Sequence, residues 1–186
     1  MIIGLVGFKQ VGKSTAAKYL EKKYGFTRHN FKDALVQEIK DNFPDLLTQI
    51  VIAGRDLGFK AMNWNELFEE KPPLMRALMQ NYGTDVRRED ESDYWTNKWQ
   101  HTVLNTKTNI VCDDIRFLNE VGAAKDAGHH RGEGVYIIRI VRTDILTGDT
   151  HISETEQLEI VADHTIECDP GDHAALYQAL DDIIKQ

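Results

Sequence analysis

No stretch of the 186-residue chain comes near, in unbroken apolar length, the roughly 18 residues that a bilayer-crossing helix needs. The leading MIIGLVG is short and lacks a basic lead. It reads as a buried strand rather than a signal peptide. No membrane partner is expected, and the expected location is the cytoplasm. Cysteine is scarce: Cys112 and Cys168 stand far apart with no C-x-x-C, which excludes a disulfide framework and suits reduced thiols in a cytosolic protein. There is no basic excess either. With 22 Lys and Arg against 30 Asp and Glu the net charge is −8, so the field that draws nucleic acid is missing and no nucleic-acid partner is expected. Zinc-spaced Cys/His clusters, solenoid-period repeats and low-complexity tracts are absent.

Two nucleotide motifs are missing as well. The G-x-G-x-x-G spacing of dinucleotide folds does not occur, which argues against a nicotinamide site. The nearest approach to the guanine-reading N-K-x-D is Asn97-Lys98-Trp99-Gln100. It lacks the aspartate, so a GTPase switch is disfavoured.

What the chain does have is 41% hydrophobic and 28% charged residues, suited to one globular domain with a core. It also has GFKQVGKST at 7–15. This is G-x-x-x-x-G-K-[ST], placed between an apolar run, Ile2–Val6, and a helical pattern, KSTAAKYLEKKYG. Gly7 and Gly12 let backbone N–H groups converge on phosphate oxygens, and the helix start adds its dipole. Lys13 is suited to the β and γ oxygens, and Ser14 to Mg²⁺. Gly7, Lys9, Val11, Gly12, Lys13, Ser14 and Thr15 form the expected ATP-binding set.

Further along, strands are expected at FTRHNF, NIVCDD (109–114), GVYIIRIV (134–141) and HTIEC. Helices are expected at KDALVQEIKDNF, through most of 45–107, at FLNEVGAAKDAG ending at Gly128, at SETEQLEIVA and at DHAALYQALDDII. In PPLMRALMQNYG the prolines open a helix that Gly83 closes. Leu74, Leu78 and Tyr82 form its apolar stripe, and Arg76 and Gln80 share another face. Strands alternating with helices predict an α/β fold on a parallel sheet, with a helical insertion between the second and third strands.

A phosphate loop in so small a chain points to a small kinase, which needs a second anion site. Guanidinium binds phosphate bidentately, and Arg76, Arg88, Arg116 and Arg142 fall at element ends. Arg116 and Arg142 follow strand carboxyl ends, where doubly wound sheets bind ligands. Asp113 and Asp114 end NIVC, where a carboxylate can hold Mg²⁺ or its water; the other would be a turn or helix cap. Ser153 and Glu156 fit an S-x-x-E capping box.

GFKQVGKST, FKDAL, MRALMQNYGTDVRRED…YW, CDDIRFLNEV, RTDILTGDTHISETE and DHTIE together resemble the deoxynucleoside monophosphate kinases of tailed phages and their bacterial-genome relatives, from about residue 2 to about 184. The resemblance implies the phosphate-loop nucleoside-monophosphate-kinase fold: a five-stranded parallel core at 1–32 and 108–186, an acceptor-binding helical insertion at about 33–107, and a lid at about 142–155. It implies transfer of the ATP γ-phosphoryl, with Mg²⁺, to a deoxynucleoside 5′-monophosphate, in host cytoplasm if phage-encoded. Asp33 would face the acceptor, and Arg76, Arg88 and Arg116 would hold its phosphate. Gln80 or Trp95 would meet sugar or base. Lys13, Arg88, Arg116 and Arg142 would be catalytic. Ser14 and Asp114, the acid that the family pattern favours, would serve Mg²⁺. The lid is often richer in arginine than TDILTGDTHI, so His151, Glu154 or Arg139 would contribute there. A homodimer is compatible. Dephospho-coenzyme A kinase is the alternative on the same scaffold, and a nucleotide-binding regulator without turnover is the alternative from another class.

Overall fold

Ile2–Val6 forms β1, buried along its whole length, as an IIGLV sequence must be when both faces of a parallel strand are covered. In the computed structural model the described residues are 1–56, 58, 63–86, 91–145 and 155–185, with 84–86 described by backbone alone. β2 is Thr27–Arg28, β3 Ile110–Cys112, β4 Val135–Val141 and β5 His164–Glu167. The strands form one sheet in the order β2-β3-β1-β4-β5. Every pairing is parallel, with Gly4 opposite Cys112 on one side and Ile137 on the other. The expected five-stranded parallel core is present, and β1 lies at its centre.

The helices are α1 (Lys13–Tyr24), α2 (Phe31–Asn42), α3 (Pro44–Asp56), α4 (Trp64–Glu70), α5 (Pro73–Gln80), α6 (Tyr94–Leu104), α7 (Leu118–Arg131) and α8 (His173–Ile184). Alternation along the strands assigns them to layers. Ile2, Val6, Ile110, Cys112 and Ile137 share one apolar cluster with Trp99 and Val103 of α6 and Val121 and Ala124 of α7. Ile3, Leu5, Val111 and Ile138 share the other with Ala16 and Leu20 of α1 and Leu176 and Leu180 of α8. Each such buried aliphatic side chain contributes about 1.5–3 kcal/mol by leaving water.

The chain divides into two compact units, 1–31 with 96–186, and 32–95. The second has its own core of Leu35, Ile39, Leu47, Ile50, Leu67, Phe68, Met75, Tyr82 and Trp95. Within it Asn63 and Glu66 cap α4 reciprocally, and Pro73 opens α5 as expected. Of the expected stripe on α5, Tyr82 is buried and Leu78 packs against the same core, but Leu74 is 61% exposed and Met75, one residue on, is fully buried in its place. Gly83 does not close the helix. A π-helical turn, Asn81–Val86, continues it. Gly83 instead leaves room for Leu35, whose Cδ2 would stand 2.8 Å from an added Cβ.

Two helix ends in the sheet unit differ from expectation. α7 runs past Gly128 to Arg131 and is capped at Gly132; Gly128 instead admits Val135, whose Cγ2 would lie 2.1 Å from an added Cβ. Of SETEQLEIVA, the described part begins at helical Thr155, continues as a 3₁₀ turn, Glu156–Leu158, and is no longer helical from Glu159 on. Glu156 reaches across the fold to accept the Leu118 N–H at 2.8 Å, so it caps the start of α7. Ser153, its expected capping partner, lies outside the described residues.

Candidate active site

β1 delivers the chain to the carboxyl edge of the sheet, and Gly7 begins the turn there. Its φ is +145°, and a Cβ would lie 2.4 Å from the Ile140 carbonyl oxygen of β4. The backbone therefore passes closer to the neighbouring strand than any side chain allows. At the apex Gln10 takes the left-handed region with φ 69°, which costs a non-glycine residue about 1–2 kcal/mol. Gly12, with φ 109°, stands at the start of α1, where no side chain among the described residues caps the helix and its first turn holds no acid. The N–H groups of that turn and the helix dipole together make an anion site.

Lys13 is 8% exposed. Its Nζ donates to the carbonyls of Gly7 at 2.5 Å and Phe8 at 2.7 Å, so the ammonium is held over the loop that it would serve. Ser14 and Lys9 are exposed, and Thr15 is half-buried. Val11 is 2% exposed in the core on the α1 side of the sheet, so only its backbone can meet a ligand.

On one side β3 ends in the two acids. Asp113 is buried. Its Oδ1 accepts from Asn30 Nδ2 at 2.6 Å, its own N–H donates to Asn30 Oδ1 at 2.9 Å, and Arg28 lies 3.6 Å from Oδ2. This exchange ties β2 to the end of β3 and gives Asp113 a structural task. Asp114 Oδ1 accepts the Phe31 N–H at the start of α2, at 3.1 Å, and the Cys112 thiol at 3.1 Å. Burial first, and Asp114 second, push the Cys112 thiol well up. Each acid thus makes a structural bond. Asp113 is the more deeply committed, and Asp114 is half-exposed. Arg116 follows, half-buried, with its N–H on Glu120 Oε2 at 2.8 Å.

On the other side β4 ends at Arg142. Its Nε and Nη2 grip Asp144 at 3.0 and 2.6 Å, and Nη1 donates to the Gln10 carbonyl at 3.0 Å. The guanidinium holds the Asp144 carboxyl below the usual carboxylate range, and Asp144 in turn raises Arg142. Arg139 is spent on the carbonyls of Gln157 and Ile160 at 3.0 and 2.6 Å, which fix the chain after the expected lid rather than serving within it. Because β1 lies between β3 and β4, the loop, the acids and Arg142 share one edge of the sheet. Sequence reasoning did not foresee the left-handed Gln10, the Arg28–Asn30–Asp113 tie or the Arg142–Asp144 grip; no motif marks these pairings.

In the helical unit Arg76 and Gln80 are half-buried one turn apart, and among the described residues neither side chain has a hydrogen bond or ion pair. Asp33 is exposed in the first turn of α2. Trp95 corrects an expectation: it is 3% exposed, and its Nε1–H donates to the Gly83 carbonyl at 2.7 Å. Its indole locks the π-helical turn and offers neither face nor donor to a sugar or base. Arg88, His151 and Glu154, with the lid from 146 to 154, lie outside the described residues.

The deoxynucleotide monophosphate kinase family model matches residues 58–179. The chain belongs to that family. A protein of Acanthamoeba polyphaga mimivirus named "Putative deoxynucleotide monophosphate kinase" is 32% identical over 173 residues, covering 84% of this chain and 81% of the relative. The matched span of the kinase takes in Arg76, Arg88, Arg116 and Arg142 and begins after the phosphate loop. Among solved structures, the Mycobacterium tuberculosis APS kinase with AMPPNP and APS is 13% identical, covers 100% of this chain and 97% of its own, and has a TM-score of 0.48. TT1252 from Thermus thermophilus is 16% identical, with coverages of 100% and 96% and a TM-score of 0.46. The parallel sheet and the loop between β1 and α1 make the fold an α/β phosphate-loop fold, and the family makes it a kinase's. No helix among the described residues is long and apolar enough to cross a membrane.

Proposed function

We propose that the kinase transfers the γ-phosphoryl of ATP to a deoxynucleoside 5′-monophosphate, giving the diphosphate and ADP. The observation that carries this reading is the uncapped start of α1 beneath a glycine-shaped loop that holds the Lys13 ammonium. An acceptor phosphate oxygen forms the new bond to the γ-phosphorus as the bond to the ADP oxygen breaks. Such transfer needs positioning and charge neutralisation more than covalent help, so no residue is assigned as nucleophile. The N–H groups of 7–15 orient the triphosphate and Lys13 meets charge on its β and γ oxygens. Arg76, Arg88 and Arg116 are assigned to the acceptor phosphate, with Gln80 and Asp33 turned to the rest of the acceptor. The exposed Ser14 hydroxyl and the Asp114 carboxylate are oxygen donors on neighbouring elements, which suits a hard cation that keeps most of its waters. Mg²⁺ held there would neutralise phosphate charge. The reading carries with it a cytoplasmic location, where ATP and deoxynucleotides occur.

The test is ADP release measured with each deoxynucleoside monophosphate in turn, with dephospho-coenzyme A, and with no acceptor. The proposal expects release that depends on one or more deoxynucleotides. Release without any acceptor, or only with dephospho-coenzyme A, would overturn it.

A further inference from the structure

The expectation from sequence makes Arg142 a cation that meets phosphate directly. Its surroundings assign it another task. Three of its N–H groups are already engaged, two on Asp144 and one on the Gln10 carbonyl, out of about five that a guanidinium has. Gln10 is one of only two residues other than glycine with positive φ among the described residues. The strained apex of the phosphate loop is thus tied, through its own carbonyl, to the end of β4. Asp144 fixes the guanidinium plane from the opposite side by a bidentate grip, the geometry that gives Arg–carboxylate pairs their directional specificity.

The geometry points to Asp144 and Arg142 as positioning residues for ATP binding. The pair holds Gln10 in the left-handed conformation, so that the loop N–H groups already converge before the triphosphate arrives. This rests on the reading of 7–15 as the ATP site and adds to it the means by which the loop is kept in shape. Without the pair, Gln10 relaxes to an ordinary backbone conformation, and nucleotide binding must restore the strained one. Affinity falls by that conformational cost, while the transfer step itself, which follows binding, changes little.

Two roles for Arg142 therefore predict opposite signs. If Arg142 is a direct phosphate ligand, Asp144 competes with ATP for it, and Asp144→Asn lowers KM for ATP. If the pair is a clamp, Asp144→Asn and Arg142→Ala both raise it. The expected rise for Arg142→Ala is about tenfold, the weight of one left-handed residue, about 1.4 kcal/mol, with kcat within about twofold of the unaltered value.

The decisive comparison repeats Arg142→Ala in a Gln10→Gly background. Glycine enters the left-handed region without penalty, so a clamp becomes dispensable and the loss shrinks to less than about threefold. An equal loss in both backgrounds, a fall in KM on Asp144→Asn, or a drop confined to kcat would overturn the clamp. ATP binding measured by calorimetry with no acceptor present gives the same comparison independently of turnover. An unaltered chain that binds ATP yet phosphorylates no deoxynucleotide would refute the proposed reaction and leave the clamp to be judged on affinity alone. Failure of the unaltered chain to bind ATP would refute both.

Discussion

Replacing Gly7 by alanine tests the close approach of the phosphate loop to β4. The added Cβ would sit 2.4 Å from the Ile140 carbonyl oxygen and 3.0 Å from Val11 Cγ2, on a backbone with φ +145°. Neither neighbour can yield cheaply, because Ile140 lies in β4 and is paired to β5, and Val11 is 2% exposed in the core. Backbone strain of about 1–3 kcal/mol adds to overpacking of about 1–3 kcal/mol, for a total of roughly 2–6 kcal/mol, a large part of a typical folding free energy of about 5–15 kcal/mol. The control is Gly122→Ala. Gly122 lies within α7, is exposed, and has nothing within 4 Å of its virtual Cβ, so alanine there should stabilise by about 0.5–1 kcal/mol. Urea unfolding followed by circular dichroism reads both. A Gly7→Ala cost below about 1 kcal/mol, or a destabilising Gly122→Ala, would refute the account of the loop as sterically fixed.

Lys13→Ala should reduce phosphoryl transfer at least about a hundredfold while the chain still folds, with a stability loss of about 1–3 kcal/mol from the two carbonyls left without their donor; retained turnover would remove the loop lysine from the chemistry. Arg76→Ala and Arg116→Ala should each raise acceptor KM about tenfold or more while ATP affinity stays within about twofold, and steady-state kinetics with both substrates varied would show whether the losses fall on the acceptor. Trp95→Phe removes the donor to Gly83 and should cost about 1–2 kcal/mol of stability with no selective change in acceptor KM; a selective change would restore Trp95 to the substrate site. Asp181 accepts from Lys23 at 2.5 Å and from Tyr19 and Tyr24 at 2.7 Å each, and Lys23 first, then the two hydroxyls, hold its carboxyl far below the ordinary range. A depressed carboxylate stabilises above its unfolded pKa of about 3.9 and loses that contribution as the pH falls through its folded value. The melting-temperature gap between the unaltered chain and Asp181→Asn should therefore be full at neutral pH and shrink below about pH 4, and a gap independent of pH would contradict it.

The sheet and the donor loop were legible because they rest on local signals. An apolar run followed by G-x-x-x-x-G-K-S needs no knowledge of the remaining chain, and the alternation of Ile2 and Ile3 between layers follows from strand geometry. Gly83 and Gly128 misled because glycine signals both a stop and a lack of room, and only the partners Leu35 and Val135 distinguish the two. The stripe on α5 begins at Met75 rather than Leu74 because a step of three or of four to Leu78 is equally helical, and the choice depends on which side the core lies. Glu156 at the start of α7 and Arg142 at Gln10 join residues 38 and 132 positions apart, beyond any local pattern. The resemblance assigned Trp95 to sugar or base because a matched motif position reads the same whether the indole N–H faces a ligand or, as it does, the Gly83 carbonyl.

The apolar core of 32–95 shares no residue with either core of the sheet unit. Mutational costs at Leu47 or Phe68 should therefore add to, and not multiply with, costs at Leu5 or Leu20. Variation inside the helical unit is then drawn from its own reserve of stability. A lineage could rework residues 32–95 from one acceptor to another while the donor machinery drifted by its own clock, and a chimera exchanging that span between family members is the engineering form of the same independence.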